Sequence, residues 1–390
     1  MEPRKVYLDH SATTPVAAEV LDAMTPFFLT GYGNPNSLHQ WGREARKALD
    51  GARESVAALI GADVHEIVFT GNGSTADNLA IKGSVWSDKG NRKHAITSNI
   101  EHHAVMDAFK WLEKNGYDVT WLPVDEFGMV SPDNLENAIR DDTLLVSIMH
   151  ANNEVGTINP IEKLGAVCRE HGALFHTDAV QTAGHIPIDV SKLPVDMLSM
   201  SAHKMYGPKG VGALYIRKGI KLTPLVHGGG QEYGISSGTE NTAGIAGFGA
   251  AARLAVKLHE SGEEARVSAL RDKLMDGIIE RIPETFVTGH RTKRLPFHGS
   301  VCVKLIEGEG MLLRMDHAGI GVSSGSACTS GSLEPSHVLR AMGLDHATAH
   351  GSVRLTLGKD TTVEDIDYVL EKFPPIVDIL RKMSPYKGGQ

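Results

Sequence analysis

Along most of the chain, short apolar runs alternate with longer amphipathic stretches. HEIVFT (65–70) reads as a strand, and STADNLAIKGSVW (74–86) as a helix with apolar positions three and four apart. HAITS (94–98) predicts a strand, and HAVMDAFKWLEKNG (103–116) a helix closed by a glycine cap. DVTWLPV predicts a strand and SPDNLENAIR a helix with Ser131 as N-cap. LLVSIMH, IEKLGAVCREHG and ALFHTDAV continue the alternation, and DMLSMSAHK and VGALYIRK add two strands. Strands such as LLVSIMH show no polar face, as expected when helices cover both sides of a sheet. The pattern predicts the α/β class, with a parallel or mixed sheet covered by helices.

The rhythm changes towards the C-terminus. Residues 241–282 read as helices bridging two lobes, and a smaller α+β unit begins near 284. Its elements are the strand SVCVKLI, the helices GEGMLLRMDHAG and SHVLRAMG, the strand SVRLTLG and the helix TTVEDIDYVLEKF. Between them VSSGSACTSGSLEPS (322–336) reads as an exposed, mobile loop rich in Ser and Gly. Two lobes also suit a chain of 390 residues, because single cores stop growing at about 250–300.

Composition mainly excludes. A net charge of -8 without charged runs argues against nucleic acid or an anionic membrane surface as partner. No apolar run reaches the roughly 18 residues of a membrane-spanning helix, and MEPRKVYLDHSATTP lacks the apolar core of a secretory signal. Three cysteines, Cys168, Cys302 and Cys328, are few and odd in number. They fit a reducing cytoplasm better than a disulfide scaffold. The 19 histidines show no metal-ligand spacing, so no metal site is expected.

Candidate chemistry collects where strands end, the edge at which open α/β sheets bind ligands. FTGNGSTADN (69–78) is a Gly-rich turn into a helix; Gly73 and Ser74 either bind phosphate there or serve as turn and N-cap. In HTDAVQ (176–181), Asp178 follows an apolar strand, where a carboxylate needs a partner. It is a helix N-cap or the partner of a cofactor's pyridine nitrogen, with Gln181 beside it as a donor. In SMSAHKMYGPKG (199–210), Lys204 can form a Schiff base with an aldehyde cofactor, and Ser201 and His203 can reach its phosphate. Cys328, in the Ser/Gly loop, is placed for nucleophilic attack and for carrying a product. Cys168 and Cys302 read as core residues. His102 can stack on a ring and move protons, and Arg354, unusual inside a strand, calls for a carboxylate. Asn34 and Asn153 are further polar candidates in turns.

With these residues in place, the chain resembles the cysteine desulfurases of the nitrogen-fixation and iron–sulfur-cluster type, in the class V aminotransferase group. YLDHSATTPV, GNPNSLH, EIVFTGNGSTADN, EHHAV, HANNEVGT, FHTDAVQ, SAHKMYGPKGVGALYIRKG, SGTEN, SSGSACTSGSLEPSHVLRAMG and AHGSVRLTLG carry the resemblance, in order. It implies a pyridoxal 5′-phosphate (PLP) enzyme of fold-type I. A large domain (15–258) would hold a mixed, mostly parallel seven-stranded sheet, and a small α+β domain would comprise 1–14 and 259–390. It also implies a homodimer with sites at the interface.

Carried over, Lys204 is the Schiff-base lysine, Asp178 meets the pyridine nitrogen, Gln181 the 3-oxygen, and His102 stacks on the ring. Gly73, Ser74, Ser201 and His203 bind phosphate, joined by Thr239 of the other subunit. Asn34, Asn153 and Arg354 hold the substrate L-cysteine, with Arg354 on its carboxylate. Cys328 takes the sulfur as a persulfide for an iron–sulfur scaffold protein or another acceptor, leaving L-alanine. The chain departs from the usual family pattern at Thr75 and Ala76 in the phosphate loop, and at Tyr233 and Ser236, where arginines are usual.

Overall fold

The computed structural model describes residues 4–90, 92–325 and 335–383. Its strands are β1 (Val6–Tyr7), β2 (Ile67–Thr70), β3 (His94–Ser98), β4 (Asp118–Leu122), β5 (Thr143–Ser147), β6 (Leu174–Asp178), β7 (Met197–Ser201), β8 (Gly212–Ile216), β9 (Thr285–Val287), β10 (His298–Val303), β11 (Ile320–Gly321) and β12 (Ser352–Thr356). The main sheet has seven strands in the order β2-β8-β7-β6-β5-β3-β4. Strand β8 runs antiparallel to both neighbours, and the remaining pairs are parallel. Every residue of β3, β5 and β7 is buried, which explains why they lack alternation.

Two hydrophobic layers sandwich this sheet. One joins Ile96, Val146, Phe175 and Leu198 to helix residues such as Leu49, Val56 and Phe248. The other joins Ala95, Leu145 and Leu214 to Ala76, Leu79 and Ala80 of the helix Gly73–Ser87 and to Val105, Phe109 and Leu112 of the helix His103–Lys114. Parallel β5, β6 and β7 therefore end along one edge, with Ser147, Asp178 and Ser201 as their last residues.

A separate core gathers the C-terminal elements. Antiparallel β9, β10 and β12 pack with the helices Glu263–Arg281 and Val363–Met383 around Leu274, Val301, Leu355 and Phe373. Val6 and Leu8 belong to the same core, and β1 pairs with β11. The N-terminal segment then runs on to the edge of the main sheet.

One helix outlasts its sequence signal. TTVEDIDYVLEKF predicts a helix stopping before Pro374–Pro375, yet the helix continues to Met383. Proline removes an N–H and would leave the carbonyl four residues back unbonded. Arg281 Nη1 donates to that carbonyl, Leu370 O, at 2.9 Å. Buried Val377 and Leu380 hold the later turns against the second core.

The segment after β8 is tied down by a buried ion pair. Arg53 donates through Nη1 and Nη2 to the Glu232 carboxylate at 2.8 and 2.6 Å, and Phe69 N donates to Glu232 at 2.7 Å. Glu232 and Tyr233 both adopt left-handed backbone, with φ of 48° and 60°, so this clamp offsets local strain. Glu232→Ala leaves Arg53 buried without its carboxylate and is expected to lower stability by about 3–5 kcal/mol, read from the urea midpoint.

Candidate active site

The carboxyl edge of the main sheet opens on a cavity of ≈ 290 Å³. Gly73, Ser74, His102, Asn153, Asp178, Gln181, Ser201, His203, Lys204 and Arg354 all line it. Those from Gly73 to Lys204 meet because parallel strands end together, and Arg354 reaches the same place from antiparallel β12.

One corner of the cavity is built by backbone. Asn72 caps the helix Gly73–Ser87, its Oδ1 accepting from Thr75 N at 2.8 Å. The N–H groups of Gly73 and Ser74 stand in the first turn, where no carbonyl lies four residues back to receive them. The helix dipole adds partial positive charge there. A Cβ on Gly73 would sit 2.7 Å from Val180 Cγ2, so any side chain here would force Val180 to shift. The Ser201 hydroxyl next to it is buried with no hydrogen-bond partner.

Lys204 lies in a short 3-10 turn (Ala202–Lys204) directly after β7. Its Nζ donates to the carbonyls of Ser11 and Ala12 at 2.5 and 2.7 Å. Gln181 Nε2 donates to the same Ser11 carbonyl at 3.0 Å. His185 holds the other end of the lysine, with Nε2 at 2.7 Å from Lys204 O. His203 is partnered by Thr13 Oγ1 at 3.1 Å, and burial, then the charges of Lys204 and Lys209, push its imidazole down to about 4.

Asp178 ends β6, its Oδ1 accepting from Val180 N at 2.9 Å. Burial raises its carboxyl to about 6, against the lowering effects of the Val180 amide and Lys204. His102 caps the helix His103–Lys114, its Nδ1 accepting from Ala104 N at 3.1 Å, and it also lines the cavity. Accepting at Nδ1 places the ring proton on Nε2. Burial, then Lys204 and His103, bring His102 down to about 4, so it is a neutral, flat ring at pH 7.

Arg354 does find a carboxylate, and it is one the sequence did not signal. Its Nη2 donates to Asp9 Oδ1 at 2.9 Å and its Nη1 to Asn153 O at 3.0 Å, while Nε is buried without a partner. Asp9 also accepts from Ser323 Oγ at 2.9 Å. Ser11, Ala12, Asp77 and Met149 are further lining residues to which sequence reasoning gave no role. The YLDHSATTPV motif was their only signal for Ser11 and Ala12.

Two candidates lie elsewhere. Asn34 is exposed, its side chain accepting from Asn36 N at 2.9 Å, and Thr239 is exposed as well. Asn36 donates to Glu240 at 3.1 Å, so both candidates share one surface region outside the cavity. Cys328 lies outside the described residues. The core assignments of Cys168 and Cys302 hold: both are buried, and burial raises both thiols, that of Cys302 to about 12.

Comparison with known proteins gives the family and the fold. The aminotransferase class-V family matches residues 6–369. A cysteine desulfurase IscS of Methanosarcina thermophila is 52% identical over 384 residues, 98% of this chain and 95% of that protein. A cysteine desulfurase of Trichormus azollae is 48% identical over 385 residues, 99% of this chain and 96% of that protein. A solved NifS-like protein superimposes with a TM-score of 0.91 at 40% identity, covering 97% of this chain and all (100%) of that one. A structure of SspA in complex with cysteine gives 0.81 at 38% identity, covering 92% and 100%.

Fold and cavity define an α/β enzyme of the fold-type I PLP class. The chain belongs to the class-V aminotransferase family and, within it, to the cysteine desulfurases.

Pyridoxal phosphate is the cofactor of that family, and the cavity fits it. The first-turn amides, the missing side chain at Gly73 and the unpartnered Ser201 hydroxyl suit a phosphate. A buried acid and a lysine line the same space. Because Asp178 ionises near pH 6, cofactor affinity is expected to be full above that pH and to fall below it. The sign follows from charge: the protonated acid no longer pairs with a ring N–H⁺. A titration of apoprotein with pyridoxal phosphate between pH 5 and 8 checks this.

Proposed function

We propose that this chain converts L-cysteine to L-alanine and passes the sulfur on as a persulfide on Cys328. The observation that carries the reading is the joint placement of Lys204, Asp178, Gln181, His102 and the Gly73–Ser74 turn around one cavity. Gly73, Ser74, Ser201 and His203 hold the phosphate, Gln181 the 3-oxygen, and Asp178 the ring nitrogen. Bound there, pyridoxal phosphate supplies an electron sink for the pair left at a substrate carbon when its proton departs.

The other steps belong to the chain. Arg354, with one fork end on Asp9 and Nε unpartnered, receives the substrate carboxylate beside Asn153. The Lys204 amine accepts the Cα proton and returns a proton later. His102, neutral and flat, lies against the ring face and excludes water. The Cys328 thiolate attacks the substrate sulfur. The new S–S bond forms as the carbon–sulfur bond breaks, the electron pair goes to carbon, and a proton completes alanine.

Exposed apolar side chains support a homodimer. Phe28, Leu29, Tyr32, Leu38 and Trp41 stand out in one segment, and Val226 and Tyr233 in another. The Asn36–Glu240 hydrogen bond ties the two segments together. Such a patch marks an interaction surface, and a second copy here would meet Thr239 and Asn34. A cytoplasmic location and delivery to an iron–sulfur scaffold or another acceptor complete the reading. Among the described residues, no helix is long and apolar enough to cross a membrane.

The test is direct. Purified protein with L-cysteine and a thiol reductant should form alanine and sulfide in equal amounts. A keto acid in place of alanine would mean transamination and overturn the reading.

A further inference from the structure

Beneath Asp178 the sheet carries a strip of polar side chains in an otherwise apolar layer. Ser147 of β5, His176 of β6 and Ser199 of β7 lie side by side. Ser147 Oγ is 2.8 Å from His176 Nδ1, and His176 Nε2 is 2.9 Å from Ser199 Oγ. His176 and Asp178 are two residues apart on one strand, so they share a face. Across from them, on the helix Gly73–Ser87, Asp77 is 1% exposed and lines the cavity together with Asp178. Its Oδ1 is 3.7 Å from His176 Nε2 and has no hydrogen-bond partner. The helix residues near it, Ala76, Leu79 and Ala80, belong to a hydrophobic core. A carboxyl in such a wall is costly and needs a reason.

The charged and titratable groups facing it decide what it can be. Burial drives His176 down to about 3, so that ring is neutral. Glu101, in the turn after β3, is raised to about 8 by burial. For Asp77, burial first, the Asp178 charge second and Glu101 last push the carboxyl well above the usual range, against the lowering effect of the Ser199 hydroxyl.

We propose that Asp77 is a positioning residue for Asp178: the two carboxyls, set in one wall of the cavity over the Ser147–His176–Ser199 strip, hold a single negative charge between them, and it resides on Asp178, facing the cofactor's ring nitrogen. The proposal rests on the cofactor reading above. Two buried carboxylates lining one cavity cannot both ionise cheaply, and the pair titrates in two separated steps. Between those steps Asp178 presents one full charge, while Asp77 closes the polar strip as a neutral acid.

The test uses the whole protein. With aspartate labelled at the side-chain carbonyl carbon, NMR of the apoprotein at pH 7 should show one protonated aspartate. That signal should vanish in Asp77→Asn and should titrate at lower pH in Asp178→Asn. In cofactor titrations, Asp77→Ala should weaken binding about tenfold by stripping a buried polar partner, and the neutral isostere Asp77→Asn should restore most of it. The proposal is overturned if no aspartate is protonated at pH 7, if Asp178→Asn leaves the signal unmoved, or if Asn binds the cofactor as poorly as Ala. Wild-type protein that binds no pyridoxal phosphate would instead refute the cofactor reading, and the carboxyl titrations would still decide the pair.

Discussion

Lys204→Ala is expected to abolish turnover, lowering the rate of alanine formation by about 10²–10⁴-fold, the usual contribution of a proton-transferring side chain. It should also remove the borohydride-reducible bond between protein and cofactor. The backbone at this position is held independently of the amine. His185 bonds the Lys204 carbonyl at 2.7 Å, and Thr14 N bonds the neighbouring His203 carbonyl at 3.0 Å. Alanine therefore deletes the amine and leaves the turn in place. Cofactor should still bind through the Gly73–Ser74 turn and Asp178, more weakly and without a covalent link. Lys204→Arg is not expected to rescue, because a guanidinium keeps the charge and stays protonated. A reducible bond persisting in Lys204→Ala would refute the assignment.

Cys328→Ala is expected to do the opposite: cofactor binding and its absorbance survive, while persulfide and sulfide formation are lost. Neither remaining thiol can substitute. Cys168 and Cys302 are fully buried at 0% exposure, and burial raises both thiols, so neither supplies the thiolate that attacks sulfur. Deletion of Cys328 thus removes the sole candidate acceptor among the chain's three cysteines. Full sulfide production by this variant would overturn the role given to Cys328. The two variants separate the account's halves, one concerning the cofactor and the other the sulfur.

The inner strands of the main sheet were legible because they are buried on both faces and so read as short runs without polar alternation between amphipathic helices. The cavity was legible for a related reason. Polar residues at the ends of buried strands, such as Asp178 and Ser201, stand out against their surroundings. What escaped depends on distant partners. Asp9 pairs with Arg354 across 345 residues, and Arg281 rescues the carbonyl freed by Pro374. No local pattern reports either contact. Asp77 escaped because STADN reads as an ordinary first helical turn, and its meaning comes from His176 and Asp178 on strands far along the chain. Thr239 came from the resemblance alone and Asn34 also from its polar turn, and a single chain leaves both on an exposed face.

The central claim is that Lys204 and Cys328 act in one reaction, the first on carbon and the second on sulfur. A single turnover tests it: holoenzyme mixed with one equivalent of sulfur-labelled L-cysteine, without reductant, then assayed for alanine and mapped for the label by peptide mass spectrometry. One alanine is expected for each labelled sulfur, with the label on the peptide containing Cys328. Label on Cys168 or Cys302, or labelled sulfur on the protein without matching alanine, would contradict it.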